Sequence, residues 1–323
     1  MTIQEIIKFL VCILIFPGVI FVSLFGFILM GIEEKVYAKF QQRSGDRILQ
    51  PIYDFIKFSS KGITFPPKAF KSIFIIAPIL SMLTTLLMQM YIPIFSKYFI
   101  WGSSSDIIFI LFLLLFPIIS LILAQAASGN RFAGINISRA IVMLVSFSIP
   151  LIFIFVSVTF KVNEGAKSGG LLTLKNIYDY QILFGPLITK WSMIPAALSF
   201  LMIIPAILGV SPFDIYDSNT EIFGGISSVF SGFLLGIVKF TKAVNFVIIS
   251  SIFVTLFFSF SIAQIHILNI IIFYIVVTII ILISVSFTKA VTSRIKIEQA
   301  VSFFIKVPTI LSIISLILVC FKL

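Results

Sequence analysis

Residues 31–62 read GIEEKVYAKFQQRSGDRILQPIYDFIKFSSKG and interrupt an otherwise apolar half-chain. Charge crowds this stretch, from Glu33, Glu34 and Lys35 through Lys39, Arg43, Asp46 and Arg47 to Asp54, Lys57 and Lys61. Its second half is not simply polar. Ile48, Leu49, Ile52, Phe55, Ile56 and Phe58 recur at helical spacing, with Gln50, Asp54 and Lys57 on the other side. The pattern predicts a charged turn leading into an amphipathic helix on or near a membrane surface. The plain alternative is a solvated loop whose charges only orient the protein.

Composition supports the membrane setting. The 323 residues are 60% hydrophobic and only 11% charged, with mean hydropathy +1.21. Soluble domains carry roughly 25% charged residues. The net charge of +11 lies in links beside apolar segments, so topology accounts for it and nucleic acid is not expected as a partner. Cys12 and Cys320 fall in apolar segments without metal-ligand spacing and read as small core residues. One histidine, His266, leaves no room for a His-rich metal or haem site and reads as an interfacial polar residue. The start, Met1 to Lys8, has no basic region before its apolar run, so no cleavable leader is expected.

Working outward, eight runs fit membrane helices of about 20 residues or a little more. They lie at 6–32, 70–91, 106–127, 137–160, 191–210, 239–262, 265–287 and 301–321. The fold expected is an all-α integral membrane protein, one domain over 1–323, with about eight transmembrane helices and a cytoplasmic-side amphipathic helix. Pro17, Pro78, Pro117, Pro150, Pro195 and Pro205 fall inside or beside spans, where they kink helices and leave room for a cavity. Arg131, Arg139, Lys289, Arg294 and Lys296 share a side with the 33–68 charged region, which places that side in the cytoplasm and both termini outside. The 161–190 connection reads as a structured outer loop. Lys239 and Lys242 read as lysines snorkelling to the surface, and Tyr91, Trp101 and Trp191 as interface anchors.

A second cytoplasmic region, 211–232, carries Asp214, Asp217 and Glu221, acids able to line a cavity, bind a partner or merely cap a helix. A third, 128–139, reads SGNRFAGINISR and has no phosphate-loop pattern.

These three regions together resemble one family: the membrane subunit beside the peripheral arm of respiratory complex I and of group 4, energy-converting NiFe hydrogenases. Glu33-Glu34-Lys35, followed by Gln41, Arg43 and Gly45, is similar to the family's E-R-K…Q-x-R-x-G-P element, with Glu34 in place of the Arg and Asp46 of the Pro. Leu49-Gln50-Pro51-Ile52-Tyr53-Asp54, continuing to Lys57, resembles L-Q-P-x-x-D-x-x-K. Pro212-Phe213-Asp214-Ile215, with Asp217, Glu221 and Ser231-Gly232, resembles P-F-D-I-P-E…E-I…Y-S-G. The short step from Gly45 to Leu49, and the turn from Ser128 to Arg139, are similar to the hydrogenase branch, formate hydrogenlyase and its membrane-bound relatives included.

The resemblance implies a subunit of a multisubunit oxidoreductase that docks the electron-transfer arm and links redox chemistry to ion translocation, hydrogenase-like and ferredoxin-linked. It places Glu33, Lys35, Arg43, Gln50, Asp54 and Arg139 at the docking face, and Asp214, Asp217 and Glu221 as coupling candidates. It implies eight membrane helices with one long tilted span, which sets the start of the sixth span back near Ser228, and no catalytic residue, metal or cofactor on this chain alone. Soluble partners would carry iron–sulfur clusters and NiFe, antiporter-like subunits would lie beside it in the bilayer, and the setting would be a prokaryotic cell membrane. The quinone pocket of a complex I-like NADH dehydrogenase is the alternative within this class. A stand-alone transporter or channel is the alternative outside it, disfavoured by the lack of repeats and of mid-membrane acids.

The departures concern proton conduction. Ala140, Ser148 and Val229 stand where the family usually carries glutamates. Ser146, Ser148 and Ser157 are left as candidates for a hydrogen-bonded chain. A reduced or rerouted proton path is therefore expected, either through the junction acids and other subunits or with this subunit mainly an anchor.

Overall fold

The computed structural model describes residues 18–92, 106–165, 173–214, 229–259 and 266–322. In chain order the helices are α1 (Val19–Phe40), α2 (Gln50–Ser59), α3 (Lys71–Tyr91), α4 (Ile107–Ala126), α5 (Arg131–Gly165), α6 (Leu174–Phe184), α7 (Ile194–Leu208), α8 (Gly232–Phe257), α9 (His266–Ile281), α10 (Ile297–Lys306) and α11 (Pro308–Cys320). A π-helical segment, Leu282–Phe287, and a last turn, Thr288–Val291, extend α9.

Seven of the described stretches are long and apolar enough to cross a membrane: α3, α4, α5, α7 with the turn before it, α8, extended α9, and α10 with α11. The eighth expected span, 6–32, lies partly outside the described residues, and its described part is α1. The bundle is therefore all-helical and integral to the membrane, as composition required.

Helix α8 forms its axis. Of its most apolar window 83% is buried, against 33% for α10 with α11. It packs on α1, α2, α3, α6, α7 and α9. Phe253 and Phe257 meet Phe200 of α7, and Phe240 meets Phe27 of α1 and Phe55 of α2. Thus α2 is seated by Phe55 while Tyr53 and Ile56 face outward.

Several ends follow from single residues. Pro195 stands in the first turn of α7 and Gly209 closes it at φ +60, a backbone that suits glycine. Thr173 caps α6 by accepting the Asn176 N–H at 3.3 Å. The Gln181 amide then donates to the carbonyls of Thr255 and Leu256 at 2.9 and 3.2 Å, and accepts the Ser259 N–H at 2.9 Å. This one side chain pins α6 to the end of α8, so the 161–190 connection is structured where it is described.

Elements differ from the hydropathy reading where charge is neutralised in three dimensions. Helix α1 runs on to Phe40, so Glu33 to Lys39 are helical and the turn begins at Gln41. Helix α8 begins at Gly232, a full two turns before Lys239. Helix α5 has 35 residues and overshoots its span at both ends. Cys320, expected in the core, is exposed at the end of α11. The three serines expected to form a chain each bond their own helix instead: Ser146 to Val142 O, Ser148 to Val145 O and Ser157 to Ile154 O, at 2.7, 2.9 and 2.8 Å. A hydroxyl in a helix satisfies itself locally when no polar neighbour competes.

Candidate functional site

The charged side chains gather at the end of the bundle where α1, α7 and extended α9 stop and where α3, α5 and α8 start. There α1, α2, α4, α7 and α8 enclose a cavity of about 430 Å³. Phe27, Met30, Ile118, Leu121, Ile207, Leu208, Leu235 and Val238 line its apolar part, while Glu34, Asp46, Gln50, Asp54, Lys239 and Lys242 line its polar part. Pro117 of α4 contributes to the wall.

Among the described residues, three ion pairs organise this end. Lys289 Nζ lies 3.1 Å from Glu33 Oε1, and the Glu33 side chain is only 4% exposed. The same ammonium sits 4.4 Å from the centroid of the Tyr37 ring, which is one helical turn beyond Glu33. Lys239 Nζ lies 3.5 Å from Asp54 Oδ2 and 4.5 Å from the Phe58 ring centroid. Gln50 donates to the other Asp54 oxygen at 3.2 Å. Arg294 Nη2 lies 3.1 Å from Asp214 Oδ2.

Backbone contacts lock the loops onto the helices. Ser231 Oγ accepts the Thr64 N–H at 2.9 Å and shares a hydroxyl contact of 2.6 Å with Thr64. Gly232, at φ +55, leaves no space for a methyl beside the carbonyls of Lys61 and Gly62. A methyl on Gly31 would strike the Ile48 carbonyl. The motif glycines therefore hold the link after α2 against α8, and the link before it against α1. Pro212, Phe213 and Asp214 are braced residue by residue: Pro212 O accepts the Ile295 N–H at 3.4 Å, Phe213 packs on Phe303 and Phe304, and Asp214 holds Arg294.

The residues singled out from sequence thus separate. Gln50 and Asp54 line the cavity together. Glu33 is turned inward against Lys289. Lys35 and Arg43 are exposed, and Arg139 is half-buried on α5 away from the cavity lining. Asp214 belongs to the brace, while Asp217 and Glu221 lie outside the described residues. Hydropathy treats Lys239 and Lys242 as surface-seeking lysines and uses Lys289 and Arg294 only for orientation. Their signal is a lysine deep in, or just past, an apolar helix with an acid elsewhere to match it. Among the described residues, no three His, Cys, Asp or Glu side chains gather as a metal ion would need.

Glu34 is half-buried on the cavity wall. Burial holds its carboxyl above the usual carboxylate range; the Glu33 and Asp46 charges add to this, and Lys289 and Lys239 oppose it.

The family model described as NADH dehydrogenase matches residues 11–320. An NADH-quinone oxidoreductase subunit of Dehalococcoides mccartyi (strain CBDB1) is 26% identical over 317 residues, covering 93% of this chain and 85% of the relative. Its namesake from Wolinella succinogenes is 30% identical over 279 residues, covering 79% and 78%. A chain of the membrane-bound sulfane sulfur reductase, an archaeal respiratory membrane complex, superposes with TM-score 0.86 at 27% identity, covering 98% of this chain and 100% of that one. With a family match that runs almost from end to end and a fold shared with a respiratory membrane complex, this chain belongs to the NADH dehydrogenase family of membrane subunits.

Proposed function

We propose that the chain is the membrane subunit of a multisubunit energy-converting oxidoreductase, docking soluble electron-transfer subunits on its charged end and linking their chemistry to ion translocation. The observation that carries this is the cavity of about 430 Å³ at that end, apolar on one side and ringed on the other by Glu34, Asp46, Asp54, Lys239 and Lys242. A stand-alone carrier usually keeps acids along its path through the bilayer. Apart from Glu164 and Glu298 near their ends, the described spans contain no acid.

The hydrogenase-like, ferredoxin-linked branch is the first choice. Its support is the short link from Gly45 to α2 and the likeness to the sulfane sulfur reductase chain. In this reading the charged end faces a prokaryotic cytoplasm, both termini lie outside, and antiporter-like subunits flank the bundle. Soluble partners supply iron–sulfur clusters and NiFe. Lys35 and Arg43, exposed beyond the cavity mouth, serve as docking contacts, and Asp214, Asp217 and Glu221 serve coupling.

A quinone-reducing complex is the second reading. The apolar wall formed by Phe27, Met30, Leu235 and Val238 favours it, since it offers the tail of an amphiphile an apolar surface beside the charged end. The relatives named as NADH-quinone oxidoreductase subunits are in keeping with it.

Purification through a tag on this chain in mild detergent tests the proposal. Stoichiometric hydrogenase-like and antiporter-like subunits are expected. Quinone-dependent electron transfer in the purified complex moves the second reading forward. A clean monomer or homo-oligomer across several gentle detergents overturns both.

A further inference from the structure

We propose that Glu34 is the proton-exchanging group of the cavity, taking up and releasing a proton across the polar side formed by α1, α2 and α8. Its purpose rests on reading the chain as a coupling subunit; the carboxyl chemistry stands on geometry.

Glu33 and Glu34 are adjacent on α1, and consecutive helical residues point about 100° apart. Glu33 therefore meets Lys289 of the extended α9, while Glu34 lines the cavity. The two cations nearest in effect are each committed to another carboxylate, Lys289 to Glu33 at 3.1 Å and Lys239 to Asp54 at 3.5 Å. Among the described residues, neither Glu34 oxygen is in an ion pair. The charged groups facing this carboxyl are Glu33 beside it on α1, Lys289 on the last turn after α9, Asp46 in the link to α2, Asp54 on α2, and Lys239 and Lys242 on α8.

The charge count on the cavity wall points the same way. Glu34, Asp46 and Asp54 face two lysines, Lys239 and Lys242. Among the described lining residues, an ionised Glu34 makes a third carboxylate against two lysines in a partly apolar space, which is unfavourable. Burial and the two neighbouring acids accordingly raise its proton affinity. The step is a plain acid–base exchange. The O–H bond of the Glu34 carboxyl breaks, the proton passes to water at the mouth beside Asp46, and the carboxylate left behind competes with Asp54 for Lys239. A positive charge arriving in the cavity drives this release, and its departure drives uptake. The described spans hold no interior acid, and Glu34 is a half-buried carboxyl on the cavity wall that, among the described residues, has no salt bridge of its own.

Infrared difference spectroscopy of the purified complex during pH steps tests this. The wild type is expected to show a protonated-carboxyl C=O band that titrates above the ordinary glutamate value of about 4.3. Glu34→Gln loses that band. Asp46→Asn keeps it and moves its midpoint down, because a repelling charge is gone. Lys239→Met keeps it and moves the midpoint up. The two neighbouring variants carry the test if Glu34→Gln fails to accumulate. A band that survives in Glu34→Gln, no wild-type band above the ordinary range, or midpoints indifferent to Asp46 and Lys239 overturns the proposal. A preparation without soluble partners would sink the coupling role while leaving the Glu34 band in place, so the two failures are distinguishable.

Discussion

The ammonium of Lys289 lies 3.1 Å from the carboxylate of Glu33, across 256 positions of sequence. The pair fastens the end of α1 to the last turn after α9. Breaking a buried ion pair by removing one partner strands the other charge. Glu33→Gln or Lys289→Met is expected to cost about 3 kcal/mol, toward the low end because Lys289 keeps some water contact. The double variant is expected to recover part of the loss. Thermal unfolding of the purified complex in detergent, read as a double-mutant cycle, checks it.

Asp54 and Lys239 make the opposite case. Their side chains are 34% and 39% exposed. A pair so open contributes about 0–1 kcal/mol. Asp54→Asn should therefore leave the unfolding midpoint almost unchanged yet lower turnover of the complex, because it alters the polar side of the cavity. Equal losses in stability and turnover would show the pair to be merely structural.

Asp214 is held by Arg294 beside a segment already anchored through Pro212 and Phe213. Asp214→Asn is expected to reduce turnover or ion transport while the chain still assembles. The swapped pair, Asp214→Arg with Arg294→Asp, is expected to restore assembly if the contact is a brace and not to restore transport if the carboxylate itself is needed at that point. Transport assays on reconstituted complex separate the two.

Glycine replacements should divide sharply by position. Gly31→Ala and Gly232→Ala push against the carbonyls of Ile48 and Gly62, and Gly232 also has positive φ. Both are expected to loosen the links around α2, seen as faster proteolysis of residues 41–64. Gly134, inside α5, has open space where a methyl would go. Gly134→Ala is expected to gain about 0.5–1 kcal/mol of stability.

Much of the fold was legible because hydropathy and helix length are local properties. The spans starting at 70, 106 and 301 correspond to α3, α4 and the α10–α11 pair, within a few residues of their observed starts. The places where reading stopped short are tertiary. On hydropathy alone the sixth span begins only at Lys239, because nothing in the neighbouring sequence announces Asp54 as its partner; the family resemblance sets that start back near 228, close to the observed Gly232. The motif resemblance located Gln50, Asp54 and Asp214, but it could not tell a cavity wall from a brace, nor foresee that Glu33 points inward. Glu34 appeared only as a mismatch to a pattern; its cavity position and its buried neighbour became visible with the helices assembled. Asp217 and Glu221 keep only their reading from sequence.

The π-helical segment Leu282–Phe287 carries a mechanical consequence. It absorbs one residue more than an α-helix of the same rise would. If the segment rewound as ordinary α-helix, every residue after it would turn by about 100° and advance about 1.5 Å. Thr288 would then stand where Lys289 stands, the ammonium would leave Glu33, and residues 292–296 would press toward Pro212 and Asp214. The end of this helix is geared like a one-tooth ratchet, and both ion pairs beyond the tooth, Lys289–Glu33 and Arg294–Asp214, hold it in its present notch.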